Sequence, residues 1–281
     1  MADSPLAKQV LVEVLAPKFD LQSISNKTAE IEETFRASFI PTEMSSSYFK
    51  WLDELRLVKQ CGRVIGPREL GKSRSSLNYC EEEKGQFSYV KAWSNSSSRR
   101  LFSQILEDIK HAGYKGNRKA LQPRLSGSIS IFGIESIIVD NADSLQREAL
   151  LDLKQLHEET SVPIVLVGSH NLDNILGDDL IFSFPSLFEF SPLAEDDFKR
   201  TLRTIEVEIL NLPEPSNLAD GASFETLSLS TGGRMGTLIK VLTKAVLHSL
   251  VKGNCRVDES VLENITNFYG QEYIRPKNPQ S

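Results

Sequence analysis

Cysteine and histidine are scarce in this chain, three and four residues among 281. Cys61, Cys80 and Cys255 stand far apart and without metal-ligand spacing, which argues against a zinc module or a disulfide framework and leaves reduced, buried or half-buried thiols as the expectation. No apolar run approaches the ~20 residues of a bilayer span, so no membrane partner is expected. Met1-Ala2-Asp3-Ser4 does not open as a signal peptide does, and a cytoplasmic protein is the expectation. Positive charge is not in excess either. A formal net charge of −6 excludes a generally basic coat for nucleic acid while leaving room for a local basic patch. The length allows one large domain, or a core with a smaller appendage.

Against these absences stands one complete motif, Gly66-Pro67-Arg68-Glu69-Leu70-Gly71-Lys72-Ser73. Its spacing is that of a phosphate-binding P-loop. Gly66 and Gly71 let backbone N–H groups approach phosphates, Lys72 reaches the β and γ oxygens, and the Ser73 hydroxyl ligates Mg²⁺. The motif needs a strand before it and a helix after it. Arg63-Val64-Ile65 supplies the first and Ser73 to Cys80 the second. A glycine-rich surface turn is the weaker alternative, and ATP with Mg²⁺ is the expected ligand pair.

Apolar periodicity orders the rest. Leu6, Val10, Leu11, Val14 and Leu15 form one helical face before Pro17, read as part of an N-terminal helical arm over residues 1–35. A helix from Ser45 to Val58 follows, with Phe49, Leu52 and Leu55 on its apolar stripe. Strands are expected at Arg63–Ile65, Phe87–Trp93, Ser136–Val139, Val162–Val167 and Leu187–Phe190. Helices are expected at Arg99 to Lys110 and Leu145 to Glu158. Near-continuous apolar strands separated by helices belong to a parallel sheet. The expectation is an α/β fold, a P-loop core over residues 36–192 with a parallel five-stranded sheet flanked by helices. A C-terminal helical lid over 193–273 and a flexible tail over 274–281 follow.

A parallel P-loop sheet followed by a small helical domain is the layout of AAA+ proteins. Within that class, four runs resemble the TnsC/TniB family of bacterial transposition regulators, which includes the TnsC of CRISPR-associated transposons. They are Cys61 to Ser73, Ile137 to Leu145, Ile164 to Asp173, and Pro192 to Leu218. The similarity covers about Ala29 to Asn267. Its most distinctive part is Asp197-Phe198-Lys199 through Leu210-Asn211-Leu212-Pro213 and Ser216-Asn217-Leu218. The resemblance implies ATP binding and assembly of a ring or helical filament around double-stranded DNA, linking target-selection proteins to a transposase. By the same resemblance Asp140 is the carboxylate acting through the metal, Ser169 the polar residue ending the fourth strand, and Arg234 a sensor arginine for the γ-phosphate. A solvated arginine at a helix start is the alternative for Arg234. The resemblance also places DNA contacts on the loops after the second strand and after the next helix. Here those are the stretches containing Asn95, Ser96 and Arg99, and Tyr114, Lys115 and Arg118. Such groups suit phosphate contacts that position without reading sequence, and a solvated loop with an ordinary basic turn is the alternative.

Two departures bear on catalysis. The family carries Asp-Glu where this chain has Asp140-Asn141, and an amide orients water without accepting its proton. No lysine or arginine lies between Lys154 and Lys199, and the family places its arginine finger in the stretch before the fifth strand, here Asp178 to Phe190. An arginine finger is worth ~10³–10⁵ in rate and a general base ~10²–10⁴, so weak or absent hydrolysis is expected, with binding retained. Asp143 is read as an N-terminal helix cap, with water polarisation the alternative. Arg200 and Arg203 are alternative cations. A scaffold no longer tied to transposition is a second reading of the same losses.

Overall fold

The computed structural model describes residues 21–82 and 86–274. The apolar stripe at Leu6–Leu15 and residues 275–281 lie outside the described residues. Contacts divide the chain into two compact units, Glu43–Ser191 and a second made of Met1–Thr42 with Pro192–Ser281.

The first unit runs α2 (Glu43–Val58), β1 (Gly62–Ile65), α3 (Lys72–Glu82), β2 (Phe87–Lys91), α4 (Ser98–Asp108), α5 (Arg118–Phe132) and β3 (Ser136–Asp140). It continues through α6 (Arg147–Thr160), β4 (Ile164–Val167), α7 (Asn171–Leu180) and β5 (Ser186–Glu189). The five strands form one parallel sheet in the order β2-β3-β4-β1-β5. Its interior strands β1, β3 and β4 are buried along their whole length, as their apolar runs require. Alternation sorts the side chains. Ile137 and Val139 face Leu101, Phe102, Ile105, Leu121 and Leu153 in one core, while Ile138 joins Tyr48, Leu52, Leu55 and Tyr79 in the other.

Helix α5 was not legible as such, since Pro123, Gly127 and several serines interrupt its pattern. Three things override the breakers. The Asn117 side chain accepts from the Ala120 N–H at 3.0 Å, left-handed Gly133 ends the helix, and Leu121, Leu125 and Ile129 are buried. Burial of the Cys61 and Cys80 thiols pushes both up to about 12, which keeps them protonated and inert; Cys255 is exposed.

The second unit contains α1 (Leu21–Ala37), α8 (Glu195–Thr204), a π-helical turn at Ile205–Leu210, α9 (Gly221–Thr231), α10 (Met235–Val251) and α11 (Glu259–Ile274). Phe35 of α1 and Ile40 join Phe198, Leu202, Leu227, Leu238, Leu242 and Leu262 in its core. The distinctive run Ser216-Asn217-Leu218 has a physical explanation in Glu206. That carboxylate accepts from three successive backbone N–H groups, of Ser216 at 2.5 Å, Asn217 at 2.7 Å and Leu218 at 2.9 Å. The Ser216 hydroxyl in turn accepts from the N–H of Val257 at 3.0 Å, tying this loop to the start of α11. Glu206→Ala leaves the three N–H groups without their charged acceptor and is expected to cost about 2 kcal/mol in urea unfolding, with Glu206→Gln costing less.

Candidate nucleotide site and polar face

The site begins with topology. Because β1 lies between β4 and β5, while the chain leaves it to form β2 at the far edge, the strand order reverses beside the end of β1. A crevice at such a switch point, outside the carboxyl ends of the strands, is where open α/β sheets bind ligands. The P-loop leaves β1 at this point. Gly66 has φ of +143°, and a Cβ there would sit 2.6 Å from the Phe190 carbonyl oxygen, so no other residue fits without moving the backbone. Gly71 has φ of +94° and Glu69 φ of +70°, giving the loop its curl before α3 starts at Lys72. The N–H groups at the start of this helix face the position of an anion.

Lys72 is half-buried, and its ammonium donates to the carbonyls of Gly66 at 2.7 Å and Pro67 at 2.6 Å. Burial lowers its proton affinity, and the nearby carboxylates of Asp140 and Asp143 oppose that effect. Behind the loop the Tyr48 hydroxyl meets the Ser76 hydroxyl at 2.9 Å, and Ser76 also bonds the Lys72 carbonyl, fixing the first turn of α3 against α2.

Asp140 ends β3 beside Val167 of β4 and is 2 % exposed. The Tyr89 hydroxyl of β2 donates to its Oδ2 at 2.9 Å, and the Lys91 ammonium stands at 4.0 Å. Sequence reasoning passed over Tyr89, since only the register of Lys91 beside Asp140 brings β2 to this carboxylate. Asn141 follows in a left-handed conformation at φ 55°. Asparagine adopts that region more readily than glutamate, so the amide has a backbone reason to be there. Asp143 does not cap a helix as expected. It lies in a short 3₁₀ turn, Ala142–Ser144, and its Oδ2 accepts from the Ser169 hydroxyl at 2.7 Å. Ser169 is carried there by β4, whose end is fixed by the Gly168 N–H to Val64 carbonyl bond at 2.9 Å. Lys72, Asp140, Asp143 and Ser169 are thus brought to one crevice from three strands.

These residues fit MgATP. Magnesium takes one or two carboxylates together with phosphate and water oxygens rather than a closed protein cage. Among the described residues no group of three or more His, Cys, Asp or Glu side chains forms such a cage. Ser73 and Asp140 would hold the ion and Lys72 the β and γ oxygens, while the ion would supply charge neutralisation at the phosphates. Arg234 belongs to the helical unit, where it is exposed at the start of α10. The glycines before it have structural work of their own. Gly232 closes α9 in the left-handed region, and a Cβ on Gly233 would meet the Leu193 carbonyl oxygen at 2.8 Å. Arg200 stands 3.5 Å from Asp197 and Arg203 3.5 Å from Asp220, so both alternative cations are engaged within that unit.

The two polar stretches meet in space. Arg99 donates to the Gly116 carbonyl at 2.9 Å and the Ser103 hydroxyl to the Tyr114 carbonyl at 2.7 Å, joining the first half of α4 to the turn that follows this helix. Asn95 is exposed with φ of 56°, and its side-chain oxygen accepts from Gln146 at 3.1 Å. Ser96 is 1 % exposed, its hydroxyl accepts from the Trp93 N–H, and its backbone exchanges bonds with Ser144 and Gln146. It shapes the loop and does not face solvent. Tyr114 is half-buried with Lys115 over its ring at 5.4 Å, and Arg118 makes a two-point ion pair with buried Asp152. Arg100 stacks 4.8 Å over exposed Trp93, a pair on this face that the sequence reading did not single out.

A separate cleft of about 620 Å³ opens at the opposite end of the sheet, between Cys61, Lys154, His157 and Phe182, away from the P-loop. Tyr89→Phe removes a donor from Asp140, and we expect it to weaken nucleotide binding about tenfold in Mg²⁺ while leaving binding in EDTA unchanged, as read by titration of a fluorescent ATP analogue.

Comparison with known proteins agrees with this geometry. An AAA domain family matches residues 56–176. The Mu-like prophage FluMu DNA transposition protein B of Haemophilus influenzae is 31% identical over 156 residues, 52% of this chain and 51% of that protein. The match thus spans about half the length of the relative. Among solved structures, Cdc6p from Pyrobaculum aerophilum superposes with a TM-score of 0.64 at 15% identity, covering 80% of this chain and 68% of that one. The Aeropyrum pernix Orc1 protein, solved in complex with DNA, gives 0.62 at 15%, covering 82% and 66%. The Thermotoga maritima RuvB Holliday junction branch migration motor gives 0.53 at 14%, covering 82% and 70%. These three show the fold alone. Fold, motif and relative point the same way: residues 56–176 match an AAA domain family, the P-loop fold is that of the solved structures above, and half of the chain is similar to a DNA transposition protein B.

Proposed function

We propose that this protein binds MgATP as an assembly ligand and forms a ring or helical filament on double-stranded DNA, linking target-selection proteins to a transposase in the cytoplasm. The observation that carries the reading is the pairing of an intact P-loop, Gly66 to Ser73, with Asp140-Asn141, where a carboxylate is replaced by an amide. In this reading Lys72 and Ser73 hold the phosphates and ion, Arg234 of the helical region serves as the sensor arginine that the family resemblance implies, and hydrolysis is slow. The stretch from Lys154 to Lys199 supplies no arginine finger, so binding is separated from rapid turnover.

DNA is assigned to the face holding Asn95, Arg99, Arg100, Lys115 and Trp93. The support is that two cation-bearing stretches distant in sequence are bonded together there, at Arg99 to Gly116. Their groups suit phosphate contacts, which position the protein without reading bases. Ser96 is left out of the contact set because its side chain is buried. Arg118 contributes through its exposed half while paired to Asp152. The second reading, a nucleotide-dependent scaffold outside transposition, shares the same site and differs in its partners.

Purified protein tests this directly. Turnover of ATP should be slow with or without duplex DNA. Lys72→Ala should weaken ATP binding at least a hundredfold, and with it abolish ATP-dependent assembly on DNA in sedimentation. Rapid DNA-stimulated turnover, or unchanged assembly by Lys72→Ala, would contradict the proposal.

A further inference from the structure

We infer that Asp143 is the carboxylate that accepts the proton of the attacking water in this protein, taking the place left by the amide at Asn141. The inference rests on the ATP-binding reading of the same site and adds a residue to it.

Three observations point to Asp143. First, the side chain is not engaged at a helix terminus. Helix α6 begins at Arg147 with Gln146 at its cap position, and Asp143 sits apart in the preceding 3₁₀ turn. Second, its orientation is set by a residue from another strand. Ser169, at the end of β4, donates to Oδ2 at 2.7 Å, which leaves Oδ1 of the same carboxylate without a hydrogen bond from Ser169. Third, it shares the crevice with the P-loop lysine. Asp140 and Asp143 both act electrostatically on Lys72, and the Cβ position at Gly168 lies 3.6 Å from the Asp143 carboxyl carbon, so the carboxylate stands against the end of β4.

The two carboxylates of the crevice have different surroundings, and their duties follow from these. Asp140 is 2 % exposed, accepts from Tyr89 and faces Lys91, an environment suited to a metal-binding anion. Asp143 is half-buried, reachable by water, and bonded by a neutral hydroxyl. A general base must keep an accessible lone pair within hydrogen-bond reach of the water it activates. In the step proposed, a water oxygen bonds the γ-phosphorus as the bond from that phosphorus to the β–γ bridging oxygen breaks. One water proton passes to Asp143, ADP leaves with the bond's electron pair, and inorganic phosphate is the other product. The proton then returns from Asp143 to solvent.

The test uses the full chain with three readouts. Single-turnover cleavage of radiolabelled ATP should be at least tenfold slower in Asp143→Asn, while its affinity for a fluorescent ATP analogue stays within about twofold of the wild type. The same variant should bind ADP–aluminium fluoride, a mimic of the planar phosphoryl group with its in-line water, about tenfold more weakly. Asp143→Ala should regain cleavage on addition of formate, which supplies a proton-accepting carboxylate to the vacated space. Wild-type cleavage by Asp143→Asn, absence of any cleavage by the wild type over buffer, or failure of formate to rescue would each overturn the assignment. Failure of the wild type to bind ATP at all would overturn the nucleotide reading beneath it, a result the binding titration separates from the others.

Discussion

The register of one parallel sheet is the constraint on which the whole site depends. Val64 of β1 pairs with Val167 of β4, and Val167 lies opposite Asp140 of β3, which in turn lies opposite Lys91 of β2. Through these three pairings the P-loop, Asp140 and Ser169 end at one level of the sheet although the chain separates them widely. A slip of one residue would turn each side chain to the opposite face and dissolve the arrangement. The two apolar cores hold that register by burying β1, β3 and β4 completely. Nucleotide chemistry is in this sense a product of ordinary hydrophobic packing.

A second consequence of the same geometry links nucleotide to the polar face. The segment that carries Asp140 and Asp143 continues into Ser144, Leu145 and Gln146, and these pair with the loop after β2. Ser96 N–H donates to the Ser144 carbonyl at 3.1 Å, Gln146 N–H to the Ser96 carbonyl at 3.0 Å, and the Gln146 side chain to Asn95. The loop therefore cannot shift without loading the 3₁₀ turn that holds Asp143. Buried Ser96 gains its meaning here, as the joint between the proposed DNA face and the crevice.

What was legible in the sequence had a local physical cause. The P-loop is a contiguous motif, the strands are apolar runs, and Asp140 closes one of them, so each could be located without coordinates. The fold class and the helical C-terminal region follow from the same periodicity. Features made by distant pairings were not legible. Tyr89 reaches Asp140 only because β2 lies beside β3, and Asp143 turns to Ser169 only because β4 lies beside β3 on its other edge. Proximity to a helix start made Asp143 look like a cap, and nothing local distinguished the two duties. Ser96 looked like a solvent-facing hydroxyl in a serine run, and α5 was hidden by Pro123 and Gly127. Glu206 explains a stretch that had been distinctive only as a pattern.

The most direct test of the central claim is electron microscopy of the full chain on duplex DNA with ATP, with a non-hydrolysable ATP analogue, and without nucleotide. Nucleotide acting as an assembly ligand predicts the same ordered DNA-bound oligomers with ATP and with the analogue, and none without either. Equal assembly in the absence of nucleotide, or assembly only where ATP can be cleaved, would contradict it.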